Sequence, residues 1–142
     1  MSILLAAALA QAAGSITFEI SNVRNARGHV LVAVCPQGKF LKEDCAYNGT
    51  AIARAGTVTV VVPNVPPGDY AAQAFHDENN NETVDQNFIG IPKEGVGFSR
   101  DARMSFGPPK WSSAHFIHQG APSVMRIRMH YMLGAGGPPS GH

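Results

Sequence analysis

Oxygen-bearing side chains recur at regular spacing between Asp77 and Asp85, and this spacing is the most informative chemical signal in the chain. With Asp77 as position 1, Asn79, Asn81 and Asp85 occupy positions 3, 5 and 9, and the main-chain carbonyl of Thr83 occupies position 7. Ca²⁺ takes six to eight oxygen ligands, and alternating positions of a tight loop can turn such groups toward one ion. The segment therefore predicts a calcium site with Asp77, Asn79, Asn81, Thr83 and Asp85 as ligands.

The same segment departs from an EF-hand loop at two positions. Position 6 is Glu82 rather than the Gly that permits the sharp turn, and position 12 is Phe88 rather than a bidentate Glu. With two carboxylates at the ligand positions, we expect weak affinity, about 10⁻⁴–10⁻³ M. Glu78 and Glu94 are further candidate ligands. The alternative is a plain turn in which Asp and Asn side chains bind their own backbone.

Histidines next to this segment allow a different metal or a catalytic site. His76 adjoins the acidic residues, whereas the two histidines of His115-Phe116-Ile117-His118 point to opposite faces of a strand. A transition-metal site would combine His76, one of those two imidazoles and a carboxylate. Ser99, His76 and Asp101 can be drawn as a hydrolytic triad, but no nucleophile-elbow motif accompanies them. No residue is assigned a catalytic role.

Composition limits the classes of function. The chain has 142 residues, a formal net charge of +1 and 15% charged residues. This length suits one domain with a real core. The low and balanced charge gives no electrostatic reason to expect a nucleic-acid partner.

The elements that would position these residues are short strands between Gly- and Pro-rich turns. The turn from Asn64 to Asp69 leads into a strand that begins at Tyr70, and Gly68 is expected at positive φ. Such turns are frequent in transthyretin-like and carboxypeptidase-regulatory-like domains. We predict an all-β antiparallel β-sandwich of that type, with an immunoglobulin-like sandwich as the alternative. The first two strands are expected to pair. The clearest strands cover Ser15–Ile20, His29–Val34, Thr57–Pro63, Tyr70–His76, Ala114–His118 and Val124–His130, with a short edge strand at Ala51–Ala53.

The cysteines and the N-terminus both indicate export. Cys35 and Cys45 are ten positions apart, and an even pair in an oxidising compartment usually forms a disulfide; a free thiol or half of a metal site is the alternative. Residues 1–13 contain a short apolar run followed by small residues, which predicts a signal peptide. Because no Lys or Arg precedes that run, a truncated start remains open. The mature domain is expected over 14–133, without a transmembrane segment, followed by a disordered Gly/Pro-rich tail over 134–142.

Several motifs together resemble a known family. They are Phe75-His76-Asp77-Glu78-Asn79, Asp85-Gln86-Asn87, Gly90-Ile91-Pro92-Lys93-Glu94-Gly95, Gly97-Phe98-Ser99 and Phe106-Gly107-Pro108-Pro109. The chain resembles, over roughly residues 15 to 130, the secreted bacterial family catalogued as domain of unknown function 2141. The resemblance implies an exported β-sandwich and carries no catalytic residues. The cysteine pair and Trp111, where such proteins tend to have Phe, depart from the family pattern.

These observations predict a secreted or periplasmic β-sandwich that acts as a binding or envelope-associated accessory module. Its ligand would be a protein, a peptide or a carbohydrate. Trp111 and Phe98 could form an aromatic platform for such a ligand, or could instead pack at the end of the sandwich. The alternative is a small metal-dependent enzyme or hydrolase with its site around His76–Glu94.

Overall fold

The chain forms eight short strands and almost no helix in the parts that the computed structural model describes, namely residues 13–41, 45–79, 95–104 and 109–131. One helical turn, α1 (Trp111–Ala114), and two 3-10 turns, Gln37–Lys39 and Ser99–Asp101, lie between strands. The strands are β1 (Ile16–Val23), β2 (His29–Cys35), β3 (Tyr47–Ile52), β4 (Gly56–Val62), β5 (Gly68–Asp77), β6 (Val96–Phe98), β7 (His115–His118) and β8 (Ser123–Arg128).

The strands form two packed sheets, as predicted for an all-β sandwich. The three-stranded sheet has the order β4-β1-β8, and the five-stranded sheet has the order β3-β2-β5-β6 with β7 also on β5. Only β1 and β8 pair in parallel among these ladders. The expected pairing of β1 with β2 is wrong, because the turn after Val23 carries the chain from one sheet to the other. Asn22 begins this corner at a φ of 63° and donates a side-chain hydrogen bond to the Met129 carbonyl, 2.9 Å away.

Alternating side chains of both sheets make the central core. On β8 the alternation is as predicted: Ile127 and the following Met129 are buried, whereas Arg126 and Arg128 are exposed. Burying one large apolar side chain contributes about 1.5–3 kcal/mol, so the inward row of each strand fixes its register. The largest fully buried apolar residues are Phe18, Ile16, Ile20, Ile127, Met129, Val23, Val30, Val32, Val34, Val60 and Val62.

A second apolar cluster covers the outer face of the five-stranded sheet. We call it the outer cluster. Ala71 supplies its floor from β5, and the disulfide between Cys35 and Cys45, with Cα atoms 5.3 Å apart, holds Phe40 above it. The segment after β6 completes the cover through Ala102 and α1. The remaining members are Val96, Phe98 and Ala114, with Ala33, Phe75, Met104 and Trp111 at its margin.

Two glycines let the sheets approach each other at their edges. A Cβ on Gly49 of β3 would overlap the main-chain oxygen of Val61 on β4. A Cβ on Gly97 of β6 would lie 2.6 Å from Ile127 and 2.8 Å from the Arg128 carbonyl on β8. The sandwich is therefore nearly closed along both sides, which shields strand edges from other chains.

Each end of the sandwich has a distinct character. At the turn end, formed by Gly14 and the β4–β5 turn, the Tyr70 hydroxyl donates to the Pro66 carbonyl at 2.8 Å, and the positive φ falls on Asn64, at 56°, rather than on Gly68 as expected. The loop end is formed by 24–28, 53–55, 77–79, Gly95 and Tyr131.

No helix in the described part of the chain has the length and apolar character needed to cross a bilayer.

Candidate ligand-binding end

The predicted calcium segment begins at the loop end, where β5 stops. Asp77 is the last residue of β5, lies opposite His29 in the register and is 1% exposed. Gly28 passes so closely, at a φ of +70°, that a Cβ there would overlap the Asp77 carbonyl. Asn79 is exposed. The other three predicted ligands, Asn81, Thr83 and Asp85, lie outside the described residues, as do Glu82, Phe88 and Glu94.

Glu78 is held by neighbouring side chains at the loop end, and its suggested part as an additional calcium ligand stays a prediction. Its two carboxylate oxygens accept hydrogen bonds from the Arg24 guanidinium, at 2.8 and 2.7 Å, and from the Asn25 amide at 2.6 Å. The Arg24 hydrogen bonds hold the pKa of Glu78 below its ordinary value, although burial acts to raise it. Both side chains are largely shielded, which makes this bidentate pair stronger than a surface ion pair.

His76 lies fully buried beside this pair, with both ring nitrogens engaged. Nε2 is 2.7 Å from the Arg27 carbonyl, which can only accept, so Nε2 carries the proton. Nδ1 is 2.9 Å from the Tyr131 hydroxyl and accepts its proton. Burial is the largest cause that lowers the pKa of His76. The neutral imidazole is thus the form that these contacts favour.

Tyr131 connects the histidine to the Arg24–Glu78 pair. Its hydroxyl accepts from the Arg24 main-chain N–H at 2.9 Å while it donates to His76. The Arg24 guanidinium lies 4.5 Å from the centre of the tyrosine ring, and burial raises the pKa of Tyr131 to about 12. We refer to Arg24, His76, Glu78 and Tyr131 as the end cluster.

The end cluster fixes both ends of the chain segment between β5 and β6. On one side it holds Glu78. On the other, the His76 main-chain N–H donates to the Gly95 carbonyl at 2.9 Å, and the Tyr131 ring packs so closely on Gly95 that a side chain there would collide with it. A long segment with both ends clamped on rigid strands is how many binding loops are presented.

The catalytic and transition-metal alternatives are not assembled among these side chains. Both ring nitrogens of His76 are engaged in hydrogen bonds, one with Tyr131 and one with the Arg27 carbonyl. The Ser99 hydroxyl donates to the Ala114 carbonyl at 2.5 Å and accepts from the Ala72 N–H at 2.9 Å. Asp101 accepts from the main chain of Arg128. Over the described ranges, no group of three or more His, Cys, Asp or Glu side chains could hold a metal ion.

Comparison with known proteins identifies the family of the chain. A family model described as "Uncharacterized protein conserved in bacteria (DUF2141)" matches residues 18–126. The chain belongs to the DUF2141 family. No curated protein and no solved structure matches it. The resemblance predicted from the sequence is therefore confirmed, while the choice between a transthyretin-like and an immunoglobulin-like sandwich stays a prediction.

The other histidines of this DUF2141 member have separate structural surroundings. His118 is buried at the turn end, with Nε2 within 3.0 Å of the Val65 carbonyl and 3.2 Å of the Gly14 carbonyl. His115 lies 3.5 Å from the exposed Asp69 carboxylate. The imidazoles of His115 and His118 share no hydrogen-bonding partner, and among the described residues neither one contacts His76.

The predicted aromatic platform is divided between buried and exposed positions. Phe98 is 7% exposed and packs edge-on against Phe40 in the outer cluster, so its role as a platform residue is wrong. Trp111 is partly exposed, with Phe40 at 6.1 Å and the His115 ring at 5.2 Å between centroids. Packing is thus the main role of this aromatic group.

Sequence reasoning missed Arg24, Asn25 and Tyr131 in this DUF2141 chain. Arg24 and Asn25 stand in a turn, and Tyr131 follows the last strand, so no periodic pattern marks them. The hydrogen bond from Arg24 to Tyr131 joins residues 107 positions apart. The one local signal is that His76 and Glu78 alternate at the end of a predicted strand, where a polar side chain can contact the neighbouring turns.

Proposed function

We propose that this protein is an exported binding or envelope-associated accessory module, secreted or periplasmic, whose ligand meets the loop end. The observation that carries the proposal is the double clamp on the segment between β5 and β6, at Glu78 and at Gly95. Rigid strands that present a long segment suit recognition of a protein, a peptide or a carbohydrate. The disulfide between Cys35 and Cys45 supports an oxidising destination.

We further propose that a weak calcium site orders this segment, with Asp77, Asn79, Asn81, Thr83 and Asp85 as ligands. Their spacing supports the site, and so does the position of Asp77, the first ligand, on the fixed end of β5. Calcium would add to the clamp that the end cluster already provides. The calcium ion would act as a structural ion and would not trigger a conformational change.

Thermal unfolding of the mature protein tests the calcium site. At a calcium concentration 10 to 100 times a Kd in the millimolar or submillimolar range, binding stabilises the folded state by about 1.4–2.7 kcal/mol. At roughly 3–5 °C per kcal/mol, this corresponds to roughly 4–14 °C in Tm for a domain of this size. Asp85→Ala should abolish the shift. Asp69→Ala removes an exposed carboxylate at the turn end and serves as the matched control.

Two outcomes would reject the calcium site. One is a Tm that is indifferent to both calcium and EDTA. The other is a calcium shift that Asp85→Ala and Asp69→Ala reduce equally, because that result would reflect general charge rather than ligands.

Export is tested separately by expressing the chain in a bacterial host and measuring intact mass in each cell fraction. We expect a periplasmic or secreted product that begins near Gly14 and has no free thiol. An unprocessed, reduced product confined to the cytoplasm would reject export and leave the calcium result untouched.

A further inference from the structure

Two arginines at the loop end, Arg27 and Arg54, have no carboxylate partner among the described residues. Arg27 and Arg54 are both exposed, and among the described residues neither guanidinium forms an ion pair. Arg24 beside them is neutralised by Glu78, and Arg126 on the three-stranded sheet by Glu19 at 3.0 Å. Within the described ranges, the loop end thus has two positive charges that no carboxylate balances.

The fold brings these arginines to adjacent turns. The last hydrogen bond joining β2 to β3 runs from the Ala53 N–H to the Gly28 carbonyl at 3.0 Å. Arg27 immediately precedes Gly28, and Arg54 immediately follows Ala53, so both lie just beyond this bond at the same end of the ladder. Two positive charges on neighbouring turns repel each other, and a bound anion relieves that repulsion.

The main chain at Arg27 is held although its side chain is exposed. The His76 Nε2–H donates to its carbonyl at 2.7 Å, and its own N–H donates to the Asn25 side chain at 2.9 Å. Gly28 is pressed against the end of β5. The guanidinium therefore projects from a fixed anchor, which reduces the ordering that binding requires. Ala53, which precedes Arg54, is buried and hydrogen-bonded to the same turn.

We propose that Arg27 and Arg54 form a binding site for a phosphate oxyanion. Guanidinium groups present paired N–H donors that match the oxygens of phosphate, and their positive charges attract its negative charge. The ligand that carries this phosphate is either free phosphate or the headgroup of an anionic phospholipid. This site goes beyond the proposed function, because it uses neither the calcium ligands nor the segment between β5 and β6.

An NMR titration with inorganic phosphate at constant ionic strength tests the site, with EDTA present so that calcium plays no part. We expect saturable shifts of the Arg27 and Arg54 Nε–H signals and of the Gly28 and Ala53 amides. Arg27→Gln and Arg54→Gln should each weaken binding by about fivefold or more. Arg126→Gln lowers the net charge equally but at a distant, paired arginine, so it should leave the affinity unchanged.

Vesicles distinguish the two sources. Sedimentation with phosphatidylglycerol vesicles, but not with phosphatidylcholine vesicles, that is lost in Arg27→Gln and Arg54→Gln would identify a lipid headgroup. Phosphate binding without vesicle binding would identify a free phosphate. Shifts that do not saturate, or an equal loss in Arg126→Gln, would overturn the proposal. A calcium-dependent Tm would survive that failure, because it reports on other residues.

Discussion

Replacing Tyr131 with Phe isolates the contribution of the end cluster to stability. The substitution removes one oxygen and keeps the ring that packs on Gly95 and lies below the Arg24 guanidinium. Two hydrogen bonds of 2.9 Å are lost together, one from the Arg24 N–H and one to His76 Nδ1. His76 is fully buried, so no water replaces the lost donor without rearrangement.

The size of the effect follows from the groups left without partners. A shielded donor or acceptor that loses its partner costs about 1–3 kcal/mol, and a hydrogen bond contributes about 1 kcal/mol on average. Two such groups give about 2–6 kcal/mol for Tyr131→Phe. At roughly 3–5 °C per kcal/mol for a domain of this size, Tm should fall by roughly 6–30 °C.

Urea unfolding at neutral pH measures this loss directly, provided that the m-value stays constant. Tyr47→Phe is the matched control, because Tyr47 packs edge-on against Tyr70 at 5.9 Å and its hydroxyl has no hydrogen bond to a described residue. We expect that control to change stability by less than about 0.5 kcal/mol. A Tyr131→Phe loss as small as that of the control would refute the view that the end cluster holds this end of the sandwich.

Three further predictions concern the disulfide, the stability of the fold at acidic pH, and the close approach of the two sheets at Gly49. Reducing the Cys35–Cys45 bond should lower the free energy of unfolding by about 2–3 kcal/mol, measured by urea unfolding with and without reductant. Burial lowers the pKa of His76 in the folded state. The stability that neutral His76 contributes is therefore complete above about pH 6.5 and is lost as the pH falls through the pKa of His76 in the folded protein. The pKa of Glu78 is also lowered, so a second loss should begin below about 4.3, and Glu78→Gln should remove that second step in unfolding experiments across pH. Gly49→Ala should destabilise the fold by about 1–3 kcal/mol through steric overlap, measured by thermal melting.

Each of these predictions has a result that would count against it. Gly38→Ala is the control for Gly49→Ala, because a Cβ on Gly38 would meet no atom within 4 Å; equal effects would rule out the steric argument. Stability independent of pH between about 7 and 5 would contradict a lowered His76 pKa. An unchanged unfolding curve on reduction would mean that the disulfide does not restrain the unfolded chain.

The strands could be predicted from the sequence because their side chains alternate. In the structure, Thr57 to Val62 bury every second residue, and Val124 to Met129 alternate between exposed residues and half-buried or buried ones. By contrast, β6 has only three residues and a central Gly97, which is too short for periodicity to detect. Its role depends on the close approach to β8, a contact between strands that are distant in sequence.

The site could be predicted only in its local part. Asp77 and Asn79 belong to one continuous motif, so the sequence could mark them. The contacts of His76 and Glu78 depend on how the β1–β2 turn and Tyr131 return to the end of β5. The pairing of β1 with β2 was wrong for a related reason, since adjacent strands usually pair but here a corner separates them.

The two ends of the described domain leave from opposite ends of the sandwich. Gly14 is fixed at the turn end, where its carbonyl accepts from the Val65 N–H at 3.1 Å, and Tyr131 is fixed at the loop end. The eight residues of β1 alone separate these ends by about 26 Å. If the protein is immobilised on a sensor surface through a linker before Gly14, Arg27 and Arg54 therefore face the analyte. Immobilisation after Tyr131 places the surface next to the two arginines and blocks access to them.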